Sequence, residues 1–169
     1  LPERRIQAGH FSQDAAEFLR LLGHHGVRYL LIGGEAVIFY GNPRFTGDID
    51  FFYSTEPENC SRLFQALQDF WRGPIPAVDE SSDLEEPEMV FQFGVPPNRI
   101  DLLSAVSGID FESAWLSRQE TLLGDVIVPY VGLADLIASK RAAGRNKDLE
   151  DLLFLERLLK EGETGPPGR

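Results

Sequence analysis

Cysteine is almost missing from this chain of 169 residues, where Cys60 stands alone. A single thiol excludes an internal disulfide and a zinc site built on cysteines, and it suits a reducing cytoplasm, the expected location. Long apolar runs are missing too. Nothing approaches the roughly 20 consecutive apolar residues that a bilayer-spanning helix needs, so no membrane association is expected. Positive charge is scarce, with 16 Lys and Arg against 27 Asp and Glu and a formal net charge of -11. A protein that grips long nucleic acid carries a basic footprint, and residues 79–88 are the reverse, so extended nucleic-acid binding is not expected. Local contact between the basic residues of 140–147 and an RNA acceptor stem stays open.

What is present suffices for one globular core. The chain is 43% hydrophobic and has no internal repeat, and its length permits a substantial single core. One domain over residues 1–161 is expected, followed by a Gly- and Pro-rich flexible tail at 162–169.

Apolar periodicity and turn residues predict the element order. Helix 12–24 is followed by strand 27–32, short helix 35–41, strand 48–53 and helix 57–71. Strands 89–93 and 99–103 form a hairpin. A helix near 110–117, a hairpin across 121–131 and helices 132–143 and 147–160 complete the order. This is an α/β pattern of the α+β type, a small mixed sheet flanked by helices, without the regular alternation of a doubly wound fold. Three local expectations accompany it. His24 and His25, at a helix end before Gly26, read as solvated residues and not as metal ligands. The acidic run 79–88 reads as a solvated loop. Leu149, Leu152, Leu153, Leu155, Leu158 and Leu159 read as one face of the last helix, packed on the domain.

One segment is not explained by packing. Asp48 and Asp50 alternate on a strand with Ile49 and Phe51, so both carboxylates share a face. Aspartate is depleted from strands, and like charges on one face repel unless something positive lies between them. A hard cation with oxygen ligands would remove that repulsion. Upstream, a buried strand ends at Gly33-Gly34, which opens a short helix. Glycine permits close backbone approach, and the first helical N–H groups are unpaired donors, so the turn can cradle a phosphate.

Together, in LLIGGEAVIFYGNPRFTGDIDFF, these features resemble the compact nucleotidyltransferases of the DNA polymerase beta superfamily. The run from Gly33 through Pro43-Arg44-Phe45-Thr46 to Asp50 looks most like the AbiEii-type, toxin-associated branch. The resemblance extends from about Val27 to Glu156. It implies a polymerase-beta-like fold, a nucleoside triphosphate substrate, Mg²⁺ (or Mn²⁺), and a third carboxylate on a later strand. Two departures stand out: Gly34 where many relatives have serine, and Tyr40 where many have histidine.

Asp101 is the favoured third carboxylate. It is isolated among Ile100, Leu102 and Leu103, so its burial needs a partner, either a metal, Arg99 or a backbone donor. Asp110 is the rival, but its position suits a helix N-cap. In nucleotidyl transfer an acceptor oxygen attacks the α-phosphorus and pyrophosphate leaves. The expected roles are metal binding by Asp48, Asp50 and Asp101, and phosphate contact by Gly33, Gly34, Arg44, Thr46 and Lys140. Arg44 has the alternative of a solvent-facing loop arginine. Lys140 has the alternative of a helix-end charge complementing the dipole.

Three functions remain open on the sequence. The first is a Mg²⁺-dependent nucleotidyltransferase acting on tRNA, a protein side chain or a small molecule, with a cognate antitoxin as a partner if it is a toxin. The second is a non-catalytic nucleotide-binding or regulatory protein of the same fold. The third is a metal enzyme that holds a nucleotide sugar through Asp-x-Asp, which leaves Gly33-Gly34 unexplained.

Overall fold

The computed structural model describes residues 2–163. Among them are six strands, β1 (Tyr29–Ile32), β2 (Asp48–Tyr53), β3 (Val90–Phe93), β4 (Arg99–Leu103), β5 (Gln119–Leu123) and β6 (Val126–Tyr130), interspersed with six α-helices. The helices are α1 (Gln13–His24), α2 (Gly33–Phe39), α3 (Pro57–Trp71), α4 (Phe111–Leu116), α5 (Leu133–Ala143) and α6 (Leu149–Glu163). The strands make one mixed sheet in the order β3-β4-β2-β1-β6-β5. This is the small mixed sheet flanked by helices that the sequence predicts, and no helix among the described residues is long and apolar enough to cross a membrane.

β1 is buried along its whole length, as its unbroken apolar run requires. It pairs antiparallel with β2 and parallel with β6. β2 in turn pairs parallel with β4, in a register that sets Asp48 beside Arg99 and Asp50 beside Asp101. Alternation along β2 then divides the core between the two faces. Phe51 meets Phe18 of α1 edge-on at 5.2 Å, while Phe52 on the opposite face meets Phe111 of α4 at 5.2 Å.

Local chemistry sets the helix ends. Ser12 caps α1 by accepting from the Ala15 N–H, and Pro57 opens α3, where its missing N–H is no loss. Gly144, at φ 62°, ends α5 in the left-handed region that glycine tolerates. Asp110 accepts from the Ser113 N–H at 3.0 Å, so the rival carboxylate is a cap, as its position suggests.

Four local expectations need correction. The acidic run is not simply a solvated loop: Ser81–Glu85 forms a 3-10 turn with a capping box between Glu80 and Asp83, and Leu84 is fully buried. Tyr53 donates its hydroxyl to the Leu84 carbonyl at 2.9 Å. An apolar side chain inside a polar run was enough to anchor it. His25 is likewise engaged, with its Nε2 2.6 Å from Asp69 of α3. On α6, Leu155 is buried but Leu149 and Leu153 are exposed. Finally, Gly162 and Glu163 continue α6, and the rest of the expected tail lies outside the described residues.

The inward face of α6 carries charge because it receives charge. Asp151 is buried, with its carboxylate paired to both Arg44 and Lys140. Lys140 is only 5% exposed and lies 3.1 Å from Asp148 and 3.2 Å from Asp151. A buried ammonium left short of partners is costly. Asp151→Ala is therefore expected to destabilise the protein by about 2 to 4 kcal/mol, read from urea unfolding at pH 7; an unchanged midpoint would mean that Asp148 alone carries Lys140.

Candidate functional site

The site is assembled where β1 ends and β2 and β4 begin. Antiparallel pairing sets Ile32 opposite Asp50, so the chain turns at Gly33 directly against that carboxylate. Gly33 has φ 63°, and a Cβ there would lie 2.2 Å from Asp50 Oδ2. Both conformation and space therefore demand glycine. Gly34 is tight for another reason. A Cβ there would meet Thr46 Oγ1 at 2.9 Å and Arg44 Nε at 4.0 Å. Thr46 thus holds its hydroxyl over Gly34, and it donates to the Asp48 carbonyl at 3.0 Å.

The three predicted aspartates converge. Asp48, Asp50 and Asp101 each bring a carboxylate oxygen within 4.8 Å of the others. All the donors are hard oxygens, a set that suits Mg²⁺ or Mn²⁺. Burial pushes the Asp50 carboxyl up to about 7, and the negative charges of Asp48 and Asp101 push in the same direction. A group held that far above the carboxylate range marks first a carboxyl taken out of water, and second the two negative neighbours.

What balance exists comes from Arg99. Its Nη2 lies 2.7 Å from Asp48 Oδ2, and its Nε lies 2.8 Å from Asp101 Oδ1. Gln92 adds a long contact to Asp101 at 3.5 Å. Arg99, one of the partners left open for Asp101 on the sequence, does pair with it. Its place follows from register, because Arg99 and Asp101 share a face of β4 and Asp48 is the cross-strand neighbour of Arg99.

The basic residues expected at phosphates are engaged elsewhere as well. Arg44 lines a cavity of about 210 Å³ together with Thr46 and Asp48, and also pairs with Asp151. Lys140 is buried between Asp148 and Asp151. Asp151 therefore ties the two predicted phosphate contacts into one network.

Sequence reasoning missed the pair His10 and Glu35. Glu35 is 5% exposed, and its Oε2 lies 2.9 Å from His10 Nε2 in the wall of the same cavity. The hydrogen bond to Glu35 raises the His10 pKa, against the opposing effect of burial. A glutamate immediately after the diglycine, at the start of an apolar helix, was the available signal; His10 offered none.

Across residues 11–165 the chain matches the family described as nucleotidyl transferase of unknown function (DUF2204). No curated protein matches it.

Two expected outcomes follow from the balance of charge. Folded Asp50 holds a proton that the unfolded chain releases near pH 4. The stability this group contributes is complete below that value and is lost as pH rises to about 7. In metal-free buffer Asp50→Asn should therefore gain on the wild type between pH 5 and 8, by about 1 to 2 kcal/mol in urea unfolding. Arg99→Gln should bind Mn²⁺ more tightly than the wild type by titration calorimetry, roughly tenfold, because a competing cation is removed. Weaker binding would mean that Arg99 positions the carboxylates instead of competing for them.

Proposed function

The chain belongs to this nucleotidyl transferase family, and from that premise we propose that it moves a nucleoside monophosphate from a nucleoside triphosphate to a hydroxyl, using a divalent cation. The observation that carries this reading is the convergence of Asp48, Asp50 and Asp101 within 4.8 Å, beside a glycine turn that no side chain can enter. The three carboxylates would hold Mg²⁺ (or Mn²⁺), which when bound neutralises phosphate charge and favours the deprotonated form of the acceptor hydroxyl.

The chain's own residues supply the rest. Gly33 and Gly34 let the start of α2 lie directly against the Asp50 carboxylate and the Thr46 hydroxyl, beside the position proposed for the triphosphate. Thr46 offers a hydroxyl over Gly34, in place of the serine of many relatives. Arg44 provides a planar donor at the cavity edge, suited to phosphate oxygens. Lys140 acts at longer range, through the network that holds Asp151 against Arg44. As the acceptor hydroxyl loses its proton to solvent and its O–P bond forms, the bond between the α-phosphorus and its bridging oxygen breaks, and pyrophosphate carries away the electron pair.

The run from Gly33 to Asp50 supports the AbiEii-type branch, and with it a toxin role, a cytoplasmic setting and a cognate antitoxin. The acceptor class is then tRNA, a protein side chain or a small molecule. One observation favours the non-catalytic alternative: Arg99 already neutralises two of the three aspartates.

A single experiment tests both. The protein is incubated with each radiolabelled triphosphate and Mg²⁺ or Mn²⁺, alone and with total tRNA or lysate, beside Asp48→Asn and Asp101→Asn. Transfer by the wild type that falls at least 100-fold in both variants is expected. Transfer that persists in the variants removes the metal assignment, and tight nucleotide binding with no transfer to any acceptor establishes the sensor.

A further inference from the structure

His10 stands between two cavities. One is the cavity that Asp48, Arg44 and Thr46 line; the other, of about 300 Å³, is lined by Arg4, Arg5, Gln7, Thr121 and Tyr130 among others. Every charged residue in the wall of the second cavity is basic, and none is a carboxylate. In a chain of net charge -11 that is the opposite of the prevailing field.

The arginines are held by their backbone and remain available by their charge. The Arg4 carbonyl accepts from the Leu122 N–H at 3.0 Å and from the Thr121 hydroxyl at 2.8 Å. The Ile6 N–H donates to the Leu122 carbonyl at 2.8 Å. Residues 4–6 therefore run beside β5 with their path fixed. The Arg4 guanidinium lies 3.9 Å over the Phe39 ring and donates to the Phe39 carbonyl. Phe39 in turn stacks on Tyr130 at 4.2 Å. Arg5 reaches only the Gly124 carbonyl, at 3.4 Å. Among the described residues, no carboxylate lies within ion-pair distance of either arginine, whereas Arg28, Arg44, Arg99 and Arg145 are all paired. His10 adds a ring N–H or lone pair at the same wall, with its Nε2 held 2.9 Å from Glu35.

We propose that this cavity is an anion subsite for a phosphate-bearing group, bound by Arg4 and Arg5 with His10 at the wall shared with the aspartate cavity. Its size lies at the small end of ligand pockets, roughly 300 to 1,000 Å³, which suits a phosphate or diphosphate group. Planar guanidinium forks match phosphate oxygens in pairs. The occupant is a diphosphate such as the leaving group, or the phosphate of a phosphorylated small acceptor. Both share one chemistry. The inference extends the nucleotidyl transfer reading but is tested without it.

The test is calorimetric titration in metal-free buffer at pH 7, where the aspartate cluster repels anions. Inorganic pyrophosphate and glycerol 3-phosphate are the two probes. Wild-type protein binds at least one of them, and the stronger ligand identifies the source. Arg4→Gln/Arg5→Gln weakens that binding at least tenfold, and Arg4→Lys/Arg5→Lys, which retains the charge without the fork, recovers only part of it. Arg20→Gln, on exposed α1 surface, leaves it unchanged. No binding by the wild type, equal binding by the Gln double variant, or an equal loss in Arg20→Gln overturns the proposal. Absence of transfer with anion binding intact would count against the transferase reading alone.

Discussion

The parallel register of β2 and β4 is the constraint on which the candidate site depends. It places Asp50 directly beside Asp101 and Asp48 beside Arg99. Like charges in adjacent positions of a sheet are unfavourable, yet here the pair sits next to a fully buried central strand whose pairing leaves no freedom to slip. A shift of one residue would turn Ile49, Phe51 and Ile100 out of the core. Packing on one face thus enforces electrostatic strain on the other. Burial first, and the two like-charged neighbours second, raise the pKa of Asp50, and Arg99 is the protein's partial answer to that repulsion.

Gly33 extends the same constraint into the chain path. Because Ile32 pairs with Asp50, the first residue beyond β1 must pass over that carboxylate, and only a residue without Cβ fits. The diglycine, which alone is an ordinary turn signal, is here a consequence of where the aspartate stands. Thr46 and Arg44 close over Gly34 from the returning loop, and Asp151 fixes Arg44 from α6. The most distant helix in sequence therefore helps to shape the entrance to the site.

The elements were legible because their signals are local. Tyr29–Ile32 is an uninterrupted apolar run, Pro57 and Gly144 mark helix boundaries, and Asp110 has the spacing of a cap. Asp101 was legible as a candidate because an isolated charge in an apolar strand needs a partner. What could not be read was which partner. Arg99 reaches Asp48 only through the β2–β4 register, a long-range fact that no local pattern encodes. The α6 face was misjudged for the same reason: a leucine-rich helix invites an apolar seam, but Lys140 and Arg44 approach from elsewhere and draw Asp151 inward. His10 and Glu35 meet across 25 positions, and nothing near His10 announces it.

Charge then orders the events at the site. The chain is strongly acidic, and its cations near the aspartates are mostly committed to carboxylates. A triphosphate approaching Asp48, Asp50 and Asp101 alone meets charge of its own sign, at distances well inside the roughly 8 Å screening length of physiological salt. Arg99 cannot answer both the carboxylates and the phosphates from one position. On the proposed reading, a cation held by the aspartates would neutralise them and leave Arg99 free to face the phosphates. Within the fold, the Arg99 guanidinium balances Asp48 and Asp101 and leaves Asp50, the most buried charge of β2, as the group least provided for.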